Sequence, residues 1–480
     1  MKGVTIEKPP EITPLLRKAA PPVSAQDCQQ HQQLLRCFQN LKQTISKRQG
    51  LFKTDFVHEI KSEPDPMVQQ SMLEERRWST YTSRAIHRLS VWWTRLPALG
   101  TPRFESSQLS EKRHGQQAEW TWTMKQMPPL DVLMVLHALT LHTEALGEDC
   151  LRYQKMALWN EGFPLQLASQ CIDQDTLTYS CPVSCRLHFE NMTKLAWDNL
   201  DDSDTLFIEC FRCHEQTVVP WSTRRGNGLA DNGFVQLCQS CKFILRREAL
   251  LVQRLREDLR LLLEKDIPLP GTCWAIEGRH SILAPNTATN DLVKQLLGEL
   301  LREETRPTNL FPDMTQLIKA SVEAVGRQYL PLLHDIFEHY QYVEGYSCDL
   351  LAAVMRVSKS ASTMQNVEWS ESDLHWSRNE TKYIDFLQGK TKGLSSRHFG
   401  IAQMNMTDPL IVLWSTHLLA PRSYSEFLGR FGGGIPHGWR PPHDSATCNL
   451  CRTLDPPSFA RRFIRGLTSL SEWKEWLSTV

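Results

Sequence analysis

The chain has 480 residues, enough for two or three ordinary domains or one large helical body. An apolar fraction of 41% supplies a sizeable core and excludes wholesale disorder. Lysine plus arginine and aspartate plus glutamate both number 54, and this zero net charge argues against a general polyanion binder.

Residues 1–25 hold Pro9-Pro10, Pro14 and Pro21-Pro22 with little periodicity and read as a flexible arm. The start has no continuous apolar run, so no secretory signal is expected. No stretch approaches the roughly 18 apolar residues that cross a bilayer. A helix is predicted over 29–48, where Leu34, Leu35, Phe38 and Leu41 recur at helical spacing. Residues 61–68 read as a connection. Over 76–96, Trp78, Tyr81, Ala85, Leu89, Trp92 and Trp93 form one stripe, the pattern of a core-facing helix. Residues 100–118 read as a surface loop, and Pro128-Pro129 precede a buried helix over 130–142.

Residues 171–242 are richer in Cys, Asn, Asp and Gly, the composition of a small irregular or β-rich insert. An amphipathic helix follows over 243–264 on Leu251, Val252, Leu255, Leu259, Leu262 and Leu263, ended by Pro268, Pro270 and Gly271. Further helices are expected over 314–342, 348–357, 380–387 and 410–419, with a basic helix over 459–480. The expected fold is mainly α: a multi-helix body built from two related halves, with an inserted small zinc-ribbon or treble-clef-like module. The expected division is an arm (1–25), an N-terminal helical domain (26–170), a zinc-binding insert (171–245), a C-terminal helical domain (246–430) and an irregular tail with the basic helix (431–480).

The strongest chemical signal is Cys210-Phe-Arg-Cys213 followed, after twenty-four residues, by Cys238-Gln-Ser-Cys241. Each C-x-x-C closes a tight turn that aims two thiolates at one tetrahedral centre, the donor set of structural zinc. Four thiolates leave no open coordination position, so the cofactor is read as structural, not catalytic. The second pair is expected to open directly into the helix near Phe243. Six of the fourteen cysteines fall in C-x-x-C pairs, which predicts metal ligation in a reducing compartment, cytosol or nucleus. Weaker sets are Cys181 and Cys185 with His188, and Cys448 and Cys451 with His437 and His443. Arg224, Arg225, Lys242, Arg246 and Arg247 beside the zinc pairs leave nucleic-acid contact as a minor reading.

Several segments in order resemble the glycine-rich domain-containing protein family, known from plants and abundant in fungi. They include Leu34-Leu-Arg-Cys-Phe-Gln-Asn-Leu-Lys, Trp92-Trp93, Pro129-Leu-Asp-Val-Leu-Met-Val-Leu-His137, Gly162-Phe-Pro164, Trp197-Asp-Asn199, the zinc pairs, Leu269-Pro-Gly-Thr272 and Trp414-Ser-Thr-His417. The resemblance is to a fungal-type member without the glycine-rich tail, since Gly432-Gly-Gly434 is only a loop-sized run. It implies an Asp-Val-x-x-x-Trp-His signature once in each half. Here Leu136 stands where the first tryptophan is expected, Ser415 where a histidine is, and Pro409 where the second aspartate is. Asp131, His137 and His417 remain as an eroded candidate site. Some relatives are labelled 2-oxoglutarate-dependent dioxygenases, yet the His-x-acid matches, His142-Thr-Glu144 and His188-Phe-Glu190, lie outside any run of alternating strands.

No phosphate-binding glycine loop, nucleophile elbow or His-Glu-x-x-His is present. The sequence therefore reads as a non-enzymatic helical protein with a structural zinc, acting through protein contacts. Two alternatives stand beside it, a metal-dependent, oxidoreductase-like enzyme with a degenerate Asp/His site and a nucleic-acid-binding zinc protein.

Overall fold

A computed structural model describes residues 23–56, 64–97, 120–277, 280–283, 287–297, 345–364, 378–384 and 408–429, with positions 336, 337, 339, 340, 342, 343, 367 and 369. Residues 1–22 of the expected arm, the loop at 100–118, most of the expected 314–342 helix, Cys448, Cys451 and the basic 459–480 segment lie outside the described residues, while Ala25, assigned to the arm, already begins a helix.

The architecture is mainly helical. Helix α1 (Ala25–Lys47) starts earlier than apolar spacing alone indicates, because Ser24 caps it. The Ser24 hydroxyl accepts from Asp27 N at 3.1 Å while the Asp27 carboxylate accepts from Ser24 N at 3.0 Å, a reciprocal capping box. Helix α2 (Pro66–Arg95) likewise begins ten residues before the tryptophan stripe, with Asp65 accepting from Met67 N and Pro66 at the first turn. Its first turns expose Met67 and Met72, so apolar periodicity could not mark them.

Helix α3 (Leu130–Leu141) is buried at every position from Asp131 to Leu141, the mark of a central helix. Helices α4 (Thr143–Arg152), α5 (Met156–Glu161), α6 (Leu165–Gln170) and α7 (Val183–Thr193) follow. After the first two of the three strand pairs described below comes α8 (Arg247–Lys265), and after the third come α9 (Thr287–Leu297), α10 (Leu350–Met364), α11 (Asp408–Leu418) and α12 (Pro421–Gly429). Helices α1, α2, α3 and α10 pack on one another, and α11 adds to α1, α3 and α10. One apolar core results, running from Val23 to Phe427 and holding Trp78, Trp92, Trp93 and Trp414. Early and late helical segments share it.

Chain closure at this core is tight where α5 meets α11. Phe163 N donates to Leu419 O at 2.8 Å, and a Cβ on Gly162 would lie 2.6 Å from the same oxygen. Gly162 also has φ +70°, so glycine is required on two grounds.

Among the described residues the strands form three separate antiparallel pairs: β1 (Thr205–Glu209) with β2 (Gln216–Pro220), β3 (Val235–Leu237) with β4 (Ile244–Arg246), and β5 (Trp274–Glu277) with β6 (His280–Leu283). The first two pairs build a small unit on its own apolar cluster of Val219, Phe234, Leu245 and Leu250. Residues 171–202, expected to belong to that insert, instead pack on the helical core through Ile172, Cys185 and Phe189.

Candidate metal centre and the buried Asp and His residues

Each C-x-x-C lies in the turn of a hairpin, and the two turns have the same local build. Cys210 N donates to Glu215 O at 2.9 Å and His214 N to Cys210 O at 2.8 Å; Cys238 N donates to Phe243 O at 2.8 Å and Lys242 N to Cys238 O at 3.1 Å. His214 and Lys242, each just after the second cysteine of its pair, hold φ of +60° and +61°. The two hairpins thus face each other as paired knuckles. The helix expected to open at Phe243 begins instead at Arg247, because Ile244–Arg246 pair with Val235–Leu237 as a strand. The arrangement is ribbon-like, and no helix start reaches the thiols.

The four Sγ atoms lie within 4.8 Å of one another, with Cys210–Cys241 and Cys213–Cys238 both at 3.6 Å. Sulfurs at about 2.3 Å from a tetrahedral ion stand about 3.8 Å apart. The cluster therefore has the size and donor set of a four-thiolate metal site. Among the described residues no other group of three or more His, Cys, Asp or Glu ligand atoms is so placed. Backbone N–H of Cys241 pulls the Cys238 thiol down to about 6, whereas burial pushes Cys210 up to about 12. A bound dication favours the thiolate form of all four.

The ribbon is braced from behind. Asp231 accepts from Ser222 Oγ (2.9 Å), Thr223 N (3.1 Å), Gly228 N (2.8 Å) and Arg76 Nη2 of α2 (2.6 Å). A Cβ on Gly228 would meet Ser222 Cα at 2.6 Å, so only glycine fits this loop. Arg247 donates to Leu229 O and Asp231 O, and Lys242 to Gln239 O. Of the five basic side chains that favoured nucleic acid, Arg247 thus serves this loop and Lys242 the second cysteine turn.

Asp131, His137 and His417 do not meet at one centre. The Asp131 carboxylate accepts from Arg88 Nε at 2.7 Å and Asn199 Nδ2 at 2.9 Å, in an ion pair buried at both ends. Arg88 goes on to the carbonyls of Ala196 and Trp197 and to Asp202, while Arg84 holds Asn199, Asp202 and Ser203. The two arginines of α2 fix the segment between α7 and β1.

His137 pairs instead with His31 of α1, Nε2 to Nε2 at 2.8 Å. His31 Nδ1 lies 2.9 Å from Thr416 Oγ1, which donates its own hydrogen to Val412 O at 2.7 Å. Proton bookkeeping then assigns the chain: Thr416 accepts from His31 Nδ1–H, so His31 Nε2 accepts from His137 Nε2–H. Both rings are neutral, in keeping with burial that pulls His31 down to about 3 and His137 well below its ordinary value. His417 Nδ1 lies 2.9 Å from Tyr383 OH, between the rings of Tyr424 and Phe427, and burial lowers it to about 3. All three histidines have zero exposure. A groove lined by Gln26, Gln30, Gln33, Arg36, Ser169 and Gln174 contains none of them.

The His-x-acid pairs are on helices or their ends. His142 Nδ1 donates to Ala138 O at 2.8 Å and Nε2 accepts from Arg356, while Glu190 accepts from Arg186 and from Trp197 N. His31, which sequence reading passed over, carried a signal: it stands three, four and seven residues before Leu34, Leu35 and Phe38, on the same helix face.

No protein-family model, curated protein or solved structure matches the chain.

Proposed function

We propose that Cys210, Cys213, Cys238 and Cys241 bind one structural zinc ion, and that the ribbon so braced is a docking surface for a partner protein. The observation that carries the docking surface is a set of outward apolar side chains on both hairpins. Phe207 (69% exposed) stands opposite Val218 (38%), and Leu237 (56%) opposite Ile244 (52%), with Val235 beside them. Strand alternation places Leu206, Ile208, Val219 and Leu245 inward, so these residues are not needed for the ribbon's own core. Solvent-facing apolar cross-strand pairs mark a protein-binding face.

The body that carries the ribbon is proposed as two related halves. Helix α3 followed by α4, and α11 followed by α12, are each a buried apolar helix with a histidine in its second half and a short helix after it. The order of motifs supports membership of the glycine-rich domain-containing protein family, and thiolate chemistry suits a reducing compartment. The enzyme reading gains nothing from Asp131, His137 and His417, whose polar atoms serve separate buried contacts.

Elemental analysis of the purified chain is expected to give about one zinc per chain. Replacing Phe207 and Ile244 together by Asp should keep that zinc and lower partner binding about tenfold or more. A photo-crosslinker at Phe207 or Leu237 should capture the same partner, whereas one at the exposed Leu187 of α7 should not. A folded, zinc-free chain overturns the metal assignment. Equal crosslinking at all three positions overturns the docking surface.

A further inference from the structure

Outside the four-cysteine site a second group of sulfurs lies where α6, α7 and the turn before α3 meet. Cys171 Sγ is 3.2 Å from Cys181 Sγ and 3.5 Å from Met124 Sδ, and Cys185 Sγ donates to Met124 O at 2.9 Å. The 3.2 Å separation is shorter than the 3.6 Å of the thiols that surround the candidate metal. Cys171, Cys181 and Cys185 do not close on one point as the four-cysteine group does. The arrangement suits a bond between two sulfurs better than an ion among three.

We propose that Cys171 and Cys181 form a reversible disulfide, with a small-molecule disulfide of the glutathione type as the oxidant. The backbone already brings the two residues together. Ser180 N donates to Cys171 O at 2.7 Å, and Ile172 pairs with Tyr179 in an antiparallel bridge. The sulfurs need to approach by only about 1 Å to reach bonding distance. Cys181 is partly exposed and Cys171 buried, so the outer thiol meets the oxidant and the inner one completes the exchange. Cys181 Sγ, which donates to Cys171 Sγ, passes its proton to Cys171 and attacks the external disulfide, forming a mixed disulfide and expelling one small thiolate. Cys171 then attacks Cys181 Sγ and expels the second. Two electrons pass from the protein to the oxidant, and the two thiol protons end on the two small thiols released.

Closure would fix a segment that is already seated on α1. Gln33 Nε2 donates to Ile172 O at 3.3 Å and Asn40 Nδ2 to Leu177 O at 3.3 Å, while Tyr179 OH reaches Pro128 O at 2.9 Å. The bond would turn this hydrogen-bonded turn into a covalently closed loop resting on α1.

The test uses the full chain across a series of reduced and oxidised glutathione ratios, quenched with an alkylating maleimide. Trypsin leaves Cys171, Cys181 and Cys185 in one peptide, since no Lys or Arg lies between Lys155 and Arg186. A second cleavage before Asp173 or Asp175 separates Cys171 from the other two. Oxidised samples should lose two alkylated sites and about 2 Da within the tryptic peptide, and the Asp cleavage products should stay joined. Cys185→Ser should keep the bond, whereas Cys171→Ser and Cys181→Ser should each abolish it with helical content unchanged. Three alkylatable thiols throughout the series overturn the proposal. So does a Cys181–Cys185 bond in the unsubstituted chain, or protection without the mass loss, as a bound soft metal would give.

Discussion

The Asp131 carboxylate sits between Arg88 and Asn199, with the ion-pair partners 1% and 2% exposed. Removing the Asp131 charge leaves Arg88 with Asp202 as its one acidic partner, so the loss is that of a charge-assisted buried contact and not of a wholly stranded ion. Asp131→Asn is therefore expected to lower unfolding stability by about 1.5–3 kcal/mol in urea titrations, and to leave metal content unchanged. Loss of metal without loss of stability would return Asp131 to a ligand role. The aspartate stood out in the sequence only through the resemblance to the Asp-Val-x-x-x-Trp-His signature, which implied a candidate site and not a buried ion pair. The partner was not legible, since Arg88 lies on another helix within a stripe whose visible signal was tryptophan. His31 was missed altogether: it shares a helix face with Leu34, Leu35 and Phe38, but nothing local says that His137 stands across from it.

At the scale of elements, the two hairpins depend on the thiol cluster more than on their own packing. Their apolar cluster is small and separate from the core of the helical body, and short two-stranded pairs are marginal alone. Cys213→Ser removes one of four thiolates. It should abolish zinc binding and speed amide exchange throughout β1 to β4, while α1, α2 and α3 keep their protection. Exchange that rises equally in α3 would mean that the ribbon and the body unfold as one unit. The spacing of the cysteines made this site readable, because ligand geometry imposes a local pattern. The start of α8 was not readable: Phe243-Ile-Leu245 is a short apolar run that suits a strand or a helix. Only the pairing of Ile244 with Leu237 decides it. The early turns of α1 and α2 were missed for a related reason, being set by Ser24 and Asp65 caps instead of by apolar spacing.

The whole molecule is tied together by buried charge as well as by leucine and tryptophan. Arg152 of α4 bonds Asp258 of α8 at 2.9 Å, and Arg254 of α8 donates to the carbonyls of His339, Tyr342 and Tyr346. Asp149 accepts from Ser347 N and Oγ, and Glu148 accepts from Gly271 N at 3.0 Å and Cys273 N at 3.2 Å. Burial raises Glu148 to about 7, against the two N–H donors and with Glu144 and Asp149 nearby, and raises Asp149 to about 6 against Arg152 and Ser347. None of these links has a local sequence signature, which is why the amphipathic face of α8 was legible and its charged anchoring was not.

These groups set opposing pH dependences. A raised carboxyl keeps its proton in the folded state at pH values where the unfolded chain has released it, so its contribution is present at low pH and is lost as pH rises toward 7. The buried histidines do the opposite. His31 and His417, lowered to about 3, refuse a proton that the unfolded chain takes below about 6.5, so stability falls as pH falls. With His137 lowered as well, three histidines outweigh two carboxyls, and stability should rise with pH between about 5.5 and 7. Glu148→Gln removes one opposing group while keeping an oxygen to accept from Gly271 or Cys273. Its denaturation midpoint, followed by far-ultraviolet circular dichroism, should climb more steeply with pH over that window than that of the unsubstituted chain. His417→Gln should climb less steeply. Identical slopes for Glu148→Gln and the unsubstituted chain would show that Glu148 is ionised throughout, with its two backbone donors outweighing its burial.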